Sequence, residues 1–303
     1  MIKKKYFKFF IKVIISAAIL ILLFTQNDSK IIFNEFISIY GGVLIISLLF
    51  IIASWFFQFF RYHLIVNKQK KYFRFSESVK LIFIGDALNT ILPAGTGEIM
   101  KSHYAYLQAG DLEHMYTSSF IEKAYAVHSI ILIALLPLWV KGHSTILYFS
   151  VFLWSLLTFL LFSNKPILNL VQRLPFITEE SKNNIKNTMS LSIHLKLKCI
   201  LSSTSLWMCA MMGFLFLMWS NQLNVSLSDV YYTFPILAVS RLFPFTLNGI
   251  GVQEAVLVLL LSDYGINAEQ SIALGLQYRV ISHLIPALIG AGIILFNKKS
   301  LKF

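Results

Sequence analysis

An apolar run from Ile11 to Phe24, and five more at about residues 37–60, 116–140, 145–163, 199–219 and 268–296, dominate this 303-residue chain. Each is near the roughly 20 residues that carry an α-helix across the hydrocarbon core of a bilayer. Inside that core a backbone must satisfy its own N–H and C=O groups, so runs of this length specify helices and count as six full crossings. Composition agrees: 57% of residues are hydrophobic and 13% charged, where a soluble domain has about 25% charged. A soluble globular domain is excluded. With 27 Phe and 13 Tyr against 14 Gly and 7 Pro, so are disordered and collagen-like chains.

Lys3, Lys4, Lys5 and Lys8 precede the first run in the manner of a secretory signal, but Thr25-Gln26-Asn27-Asp28-Ser29-Lys30 after it offers no small-x-small cleavage site. The first run is therefore expected to remain as a helix. Two further segments, about 79–110 and 230–262, are interrupted near their middles. The first carries Leu92-Pro93-Ala94-Gly95-Thr96-Gly97-Glu98, and the second runs from Phe243-Pro244 to Asn248-Gly249-Ile250-Gly251-Val252-Gln253-Glu254. Their arms are too short to cross alone, so each is expected to be a re-entrant helical hairpin broken at Pro93, Gly95 and Gly97 or at Pro244, Gly249 and Gly251. If each were two tilted crossings the count would be ten, with the same sidedness.

Twenty of the 26 basic residues lie in four groups: near the N-terminus, in 61–80, in 164–198, and at Lys298, Lys299 and Lys302. The positive-inside rule puts all four groups, Arg61 among them, in the cytoplasm with both termini. Six spans alternate consistently with that. The halves also match each other: Pro93 with Pro244, Gly97-Glu98 with Gly251 to Glu254, Gly110 with Gly265, and Glu122-Lys123 with Gln277-Tyr278-Arg279. The fold class expected is thus an all-α polytopic membrane protein with six full spans and two re-entrant hairpins. It forms an inverted-topology repeat, residues 1–140 and 145–303, within one integral membrane domain. Secondary transporters use this pattern to bring broken helices together at a midplane site.

Four cations, Lys101, Lys123, Arg241 and Arg279, and four acids, Asp86, Glu98, Glu122 and Glu254, remain at membrane depth. A charge at a helix centre costs at least about 2.5–3.5 kcal/mol, so these eight face a polar interior. Glu98 and Lys101 are three residues apart and can share a helix face, as Arg279 and His283 can at four. One reading pairs the charges with each other to brace the broken helices. The other makes Lys101, Lys123, Arg241 and Arg279, together with the helix starts after each break, a site for an anion such as a lipid phosphate. Glu98 and Glu254 would then cap those helices or titrate during transport.

His103, His128 and His283 show no metal-ligand spacing, and no P-loop, nucleophile elbow or dinucleotide fingerprint is present. No metal site and no cofactor is expected, and an ATP-driven mechanism within the chain is not. Cys199 and Cys209 read as small apolar residues. The polar segment 164–198, with an amphipathic stretch near Ser181 to Leu195, reads as a cytoplasmic loop that can meet anionic headgroups. Nucleic-acid binding is not indicated.

Pro93-Ala94-Gly95-Thr96-Gly97-Glu98 with Lys101, Gly110 and Glu122-Lys123, and then Pro244, Asn248-Gly249-Ile250-Gly251-Val252-Gln253-Glu254, Gly265 and Arg279, resemble the two signatures of the lysylphosphatidylglycerol synthase transmembrane, or flippase-like, family. Lys101 and Lys123 stand where that family more often has Arg, and Asn248 where it usually has Gly. The resemblance implies a flippase or translocase that moves an envelope lipid between leaflets of the cell membrane. Because the chain ends at Phe303, a membrane-only member without the soluble aminoacyl-transferase domain is expected. Its partners would be a membrane lipid with an anionic headgroup and a lipid-modifying enzyme. The alternatives are a membrane glycosyltransferase-like enzyme acting on a lipid-linked substrate, for which no catalytic constellation is found, and a non-transporting accessory subunit of envelope lipid synthesis.

Overall fold

The computed structural model describes residues 2–91, 96–140, 144–163, 165–172, 178–241, 246 and 248–296. Among them every regular element is helical. In order they are α1 (Ile2–Gln26), α2 (Ser29–Ile37), α3 (Gly41–Val66), α4 (Phe75–Ile91), α5 (Thr96–Ala109), α6 (Leu112–Val140) and α7 (Ser144–Ser163). There follow α8 (Lys165–Gln172), α9 (Glu179–Met189), α10 (Ile193–Ser220), α11 (Leu227–Ser240), α12 (Val252–Ser262), α13 (Ala268–Arg279) and α14 (Ile285–Phe296), with a π turn at Val280–Leu284 joining the last two. The chain is an all-α multi-pass membrane protein. Five helices, α3, α6, α7, α10 and the continuous α13–α14, are long and apolar enough to cross a bilayer. The α1–α2 pair, bent by 99°, makes a sixth if it counts as one span. Leu49, Leu201 and Leu259 expose more than half their surface, which in a lipid solvent carries no hydrophobic cost.

Between the first two apolar runs, residues 29–37 form α2, which Asp28 caps by accepting from the N–H of Lys30 (2.8 Å) and of Ile31 (3.4 Å). Two expectations change. The amphipathic stretch stops at Met189, and Ile193 already begins α10. Arg61 is not a loop cation: it lies in the last turns of α3 and is 1% exposed. Both interrupted segments do consist of two short helices, α4 with α5 and α11 with α12. Pro93, Gly95 and Pro244 lie outside the described residues. At Gly97 a Cβ would overlap the backbone nitrogen of Asn89, so the first turn of α5 lies directly on the end of α4. Gln253 of α12 donates to the carbonyl of Leu237 in α11 (3.4 Å).

The chain forms two compact units, and each draws on both halves of the sequence. The first comprises Met1–Ile52, Phe83–Glu98 and Cys209–Phe296. Its helices approach closely where side chains are small. Ser47 of α3 donates to the carbonyl of Gly213 in α10 (2.6 Å), and a Cβ on Gly213 would sit 2.7 Å from Ile51. Gly290 of α14 leaves room for the backbone of Phe83 in α4. Such contacts hold helices together where apolar burial has no driving force. Pro286 would clash with the carbonyl of Ser282 in a regular helix, and the wider π turn just before it accommodates the ring.

The second unit contains Ala53–Ile82 and Ile99–Met208. Ile65, Tyr125, Met189 and Cys199 form part of its core. Lys68 ties the end of α9 by donating to the carbonyls of Asn187, Thr188 (3.1 Å) and Ser190 (2.7 Å), as a cation at a helix C-terminus should. Tyr72, in the connection before α4, donates to Asp111 and stacks on His114 at 4.8 Å. Burial first, then that carboxylate, raise the Tyr72 pKa and keep the hydroxyl protonated.

Candidate functional site

The intramembrane charges fall into two clusters, one per unit. In the second unit, Glu122 of α6 is fully buried, with both carboxylate oxygens engaged. Arg61 Nη2 donates to one oxygen (2.9 Å) and Lys101 Nζ of α5 to the other (2.7 Å). Arg61 Nη1 also donates to Ser203 of α10 (2.9 Å), whose hydroxyl donates to the carbonyl of Cys199 (2.7 Å). Lys101 lies 4.5 Å over the ring of Tyr62. Lys123 stands close enough to act on the same carboxylate. One acid thus joins four helices. Its charge is held because each oxygen meets a cation where water is excluded.

Arg61 was missed as a site residue because its place at the end of a span reads as orientation. Its signal was its position inside the helix, five residues before Val66. Glu98, three residues before Lys101, accepts from Asn89 Nδ2 (3.2 Å) in the first unit.

The other cluster lies wholly in the first unit, at the second break. Asn248, Gly249 and Gly251 all have positive φ (48°, 74° and 84°). Asn is among the few side chains that tolerate this conformation, which explains how it can stand here instead of glycine. A Cβ on Gly249 would lie 3.0 Å from Arg241 Cα, and one on Gly251 would lie 2.8 Å from Ile19 of α1, so both glycines are also required by space.

Glu254 closes this loop. One of its oxygens, Oε2, accepts from the Gly251 N–H (2.8 Å), capping α12, and from Arg279 Nη2 (3.1 Å); the other, Oε1, accepts from Arg279 Nε (2.8 Å). Arg279 turns its remaining bonds on the loop itself, donating to the carbonyls of Asn248 (3.2 Å) and Gly249 (3.1 Å). Gly275 permits this approach, since a Cβ there would lie 3.2 Å from Glu254. Of the two roles expected of Glu254, capping is the one the geometry fills.

Arg241, at the end of α11, is engaged differently. Its Nη2 donates to Asn248 Oδ1 at 3.4 Å, and its buried Nε makes no hydrogen bond with the described residues. Asp86 and Tyr278 lie near enough to act on its charge. Arg241, Glu254 and Arg279 therefore come together as one cluster, while Lys101, Glu122 and Lys123 belong to the other.

The two clusters follow one plan with reversed polarity. After the first break the cation Lys101 meets an acid on the next helix; after the second, the acid Glu254 meets a cation on the next helix. Gly110 and Gly265, in the turns that follow α5 and α12, share a positive φ (75° and 72°).

Groups of three or more potential metal ligands are absent among the described residues. The family model described as the lysylphosphatidylglycerol synthase TM region matches residues 9–290. No curated protein matches the chain.

Proposed function

The chain belongs to the lysylphosphatidylglycerol synthase TM region family, whose members handle membrane lipids, and from that premise we propose that it moves a phosphate-bearing envelope lipid from one leaflet to the other. The observation that carries this reading is the grip of Arg279 on Glu254. A guanidinium that holds a carboxylate through Nε and Nη2 presents the same two parallel donors that hold a phosphate. The start of α12 adds an N–H at the same point. Glu254 thus stands where a headgroup phosphate would bind.

Transport by this site is an exchange. An incoming phosphate takes over the Arg279 donors and the α12 N-terminus, and Glu254 turns away or takes a proton. Arg241 adds its spare Nε–H. On release Glu254 returns, so Arg279 is never left as a bare charge, which would be costly in this setting. The re-entrant form of both hairpins, the inverted repeat and the cytoplasmic termini are parts of this proposal, supported by the short helix pairs and the distribution of Lys and Arg. We read the chain as a transporter of the cell membrane, supplied with its lipid by a lipid-modifying enzyme, and not as a catalyst.

The test is leaflet-resolved translocation in proteoliposomes, using the anionic lipid that co-purifies most abundantly by mass spectrometry. Arg241→Gln, Arg279→Gln and Glu254→Gln should each abolish translocation while leaving membrane insertion intact. Normal translocation in all three would refute the reading.

A further inference from the structure

Beside the second break lies a cavity of about 490 Å3, within the usual range for a small-molecule site. It is contained in the first unit. Its walls are mainly hydrocarbon: Phe33 and Phe36 of α2, Phe24 of α1, Leu276 of α13 and Leu284 of the π turn are among them. The polar lining includes Asn248, Arg279 and His283. Asn248 and Arg279 are already joined by the bond from Nη1 to the Asn248 carbonyl, and His283 follows one turn later, so these three form a polar patch, with Ser29 and Thr90 elsewhere in the lining.

The roof is placed by the sequence in two ways. Asn27 and Asp28 end α1 and start α2 across a 99° bend. Gln277 of α13 then fastens the far end of α2, donating to the carbonyls of Glu35 (3.2 Å) and Phe36 (3.1 Å). Gln277 is itself oriented by a reciprocal pair with Asn221 (2.7 and 2.9 Å). These are the otherwise orphaned carbonyls of a helix C-terminus. Only Tyr278 separates Gln277 from Arg279, so the roof and the guanidinium are carried by one turn of α13.

We propose that this cavity holds one hydrocarbon chain of the lipid whose phosphate reaches Arg279, with Gln277 as the positioning residue that keeps α2 over it. The inference rests on the lipid-transport reading and deepens it: the protein, and not the surrounding bilayer, holds that chain during recognition. The argument is chemical complementarity. A headgroup alone would leave the aromatic and aliphatic walls empty, and an apolar molecule alone could not take over the Arg279 donors that now hold Glu254. An anionic amphiphile satisfies both. Selectivity should then depend on the chain as well as on the phosphate.

The test uses the purified full chain in detergent and phosphatidylglycerol probes with a diazirine at the end of one acyl chain, in a long-chain and a short-chain version. The expected crosslinks lie on Phe33, Phe36 or Leu276. Leu276→Trp fills the cavity from the floor, and Ser29→Trp from the exposed roof, where misfolding is not a concern. Both should lower long-chain crosslinking and binding severalfold and leave the short-chain probe bound. Arg279→Gln should lower both probes alike. Gln277→Leu should lower crosslinking to α2 while sparing crosslinks to Leu276.

If both filled variants bind and crosslink the long-chain probe as the wild type does, while Arg279→Gln does not bind it, the chain site is overturned and the phosphate site stands. If the wild type neither binds the probes nor translocates lipid, the transport reading itself fails.

Discussion

Replacing Glu254 by Gln tests the exchange step most directly, because shape is kept and only charge is removed. Glu254 accepts three bonds, one from the Gly251 N–H and two from Arg279. Hydrogen bonds to charged groups contribute about 1.5–3 kcal/mol each, and removing one partner of a buried ion pair costs about 3–5 kcal/mol, since the other charge is left behind. The Arg279 side chain is 14% exposed, which places the cost toward the lower end, at roughly 3 kcal/mol. In the wild type, a phosphate must displace that carboxylate. In Glu254→Gln it need not, so the same roughly 3 kcal/mol should reappear as an affinity gain of about a hundredfold.

The variant should therefore melt at lower temperature in detergent, recover stability on adding an anionic lipid more than the wild type does, bind that lipid more tightly, and fail to translocate it. The further change Arg279→Gln in the same chain should restore much of the melting temperature, because no bare charge remains. Unchanged lipid affinity in a destabilised Glu254→Gln protein would refute the exchange argument. Additive losses in the double variant would show that the two side chains do not act as a pair.

In the second unit, Glu122→Gln leaves Arg61 and Lys101 without their shared anion, and a loss of about 3–5 kcal/mol is expected, measured as a fall in melting temperature or in folded yield; a variant as stable as the wild type would contradict the role assigned to Glu122. Gly251→Ala combines a left-handed backbone with a Cβ 2.8 Å from Ile19, and should be far worse than Gly265→Ala, where nothing lies within 4 Å and only the roughly 1–2 kcal/mol of backbone strain applies. Equal thermal stability of the two would show that α1 does not press on the break. Lys68→Met should release the end of α9, seen as faster hydrogen exchange at Thr188 to Leu191 with the exchange of α3 and α10 unchanged.

What the sequence determined by itself follows from solvent physics that acts locally. A run of apolar residues long enough to span hydrocarbon must be helical wherever it packs, so the existence of α3, α6, α7, α10 and α13–α14 could be read from hydropathy, although α3, α6 and α10 extend beyond their apolar runs. The second helix break was legible for a local reason too, since Gly249 and Gly251 can take the positive φ that the loop needs at no steric cost. The cost of charge in hydrocarbon likewise singled out Glu122, Glu254 and Arg279 before any partner was known. Only the tertiary structure decided which charges meet. Spacing along α5 puts Glu98 and Lys101 on one face, but only the packing of α5 on α6 brings the Lys101 ammonium to Glu122, 21 residues away. Arg61 shows the limit most clearly: by position it marked sidedness, and by packing it became half of a buried brace, since a cation at the end of a span can face water or a carboxylate, and nothing local distinguishes the two.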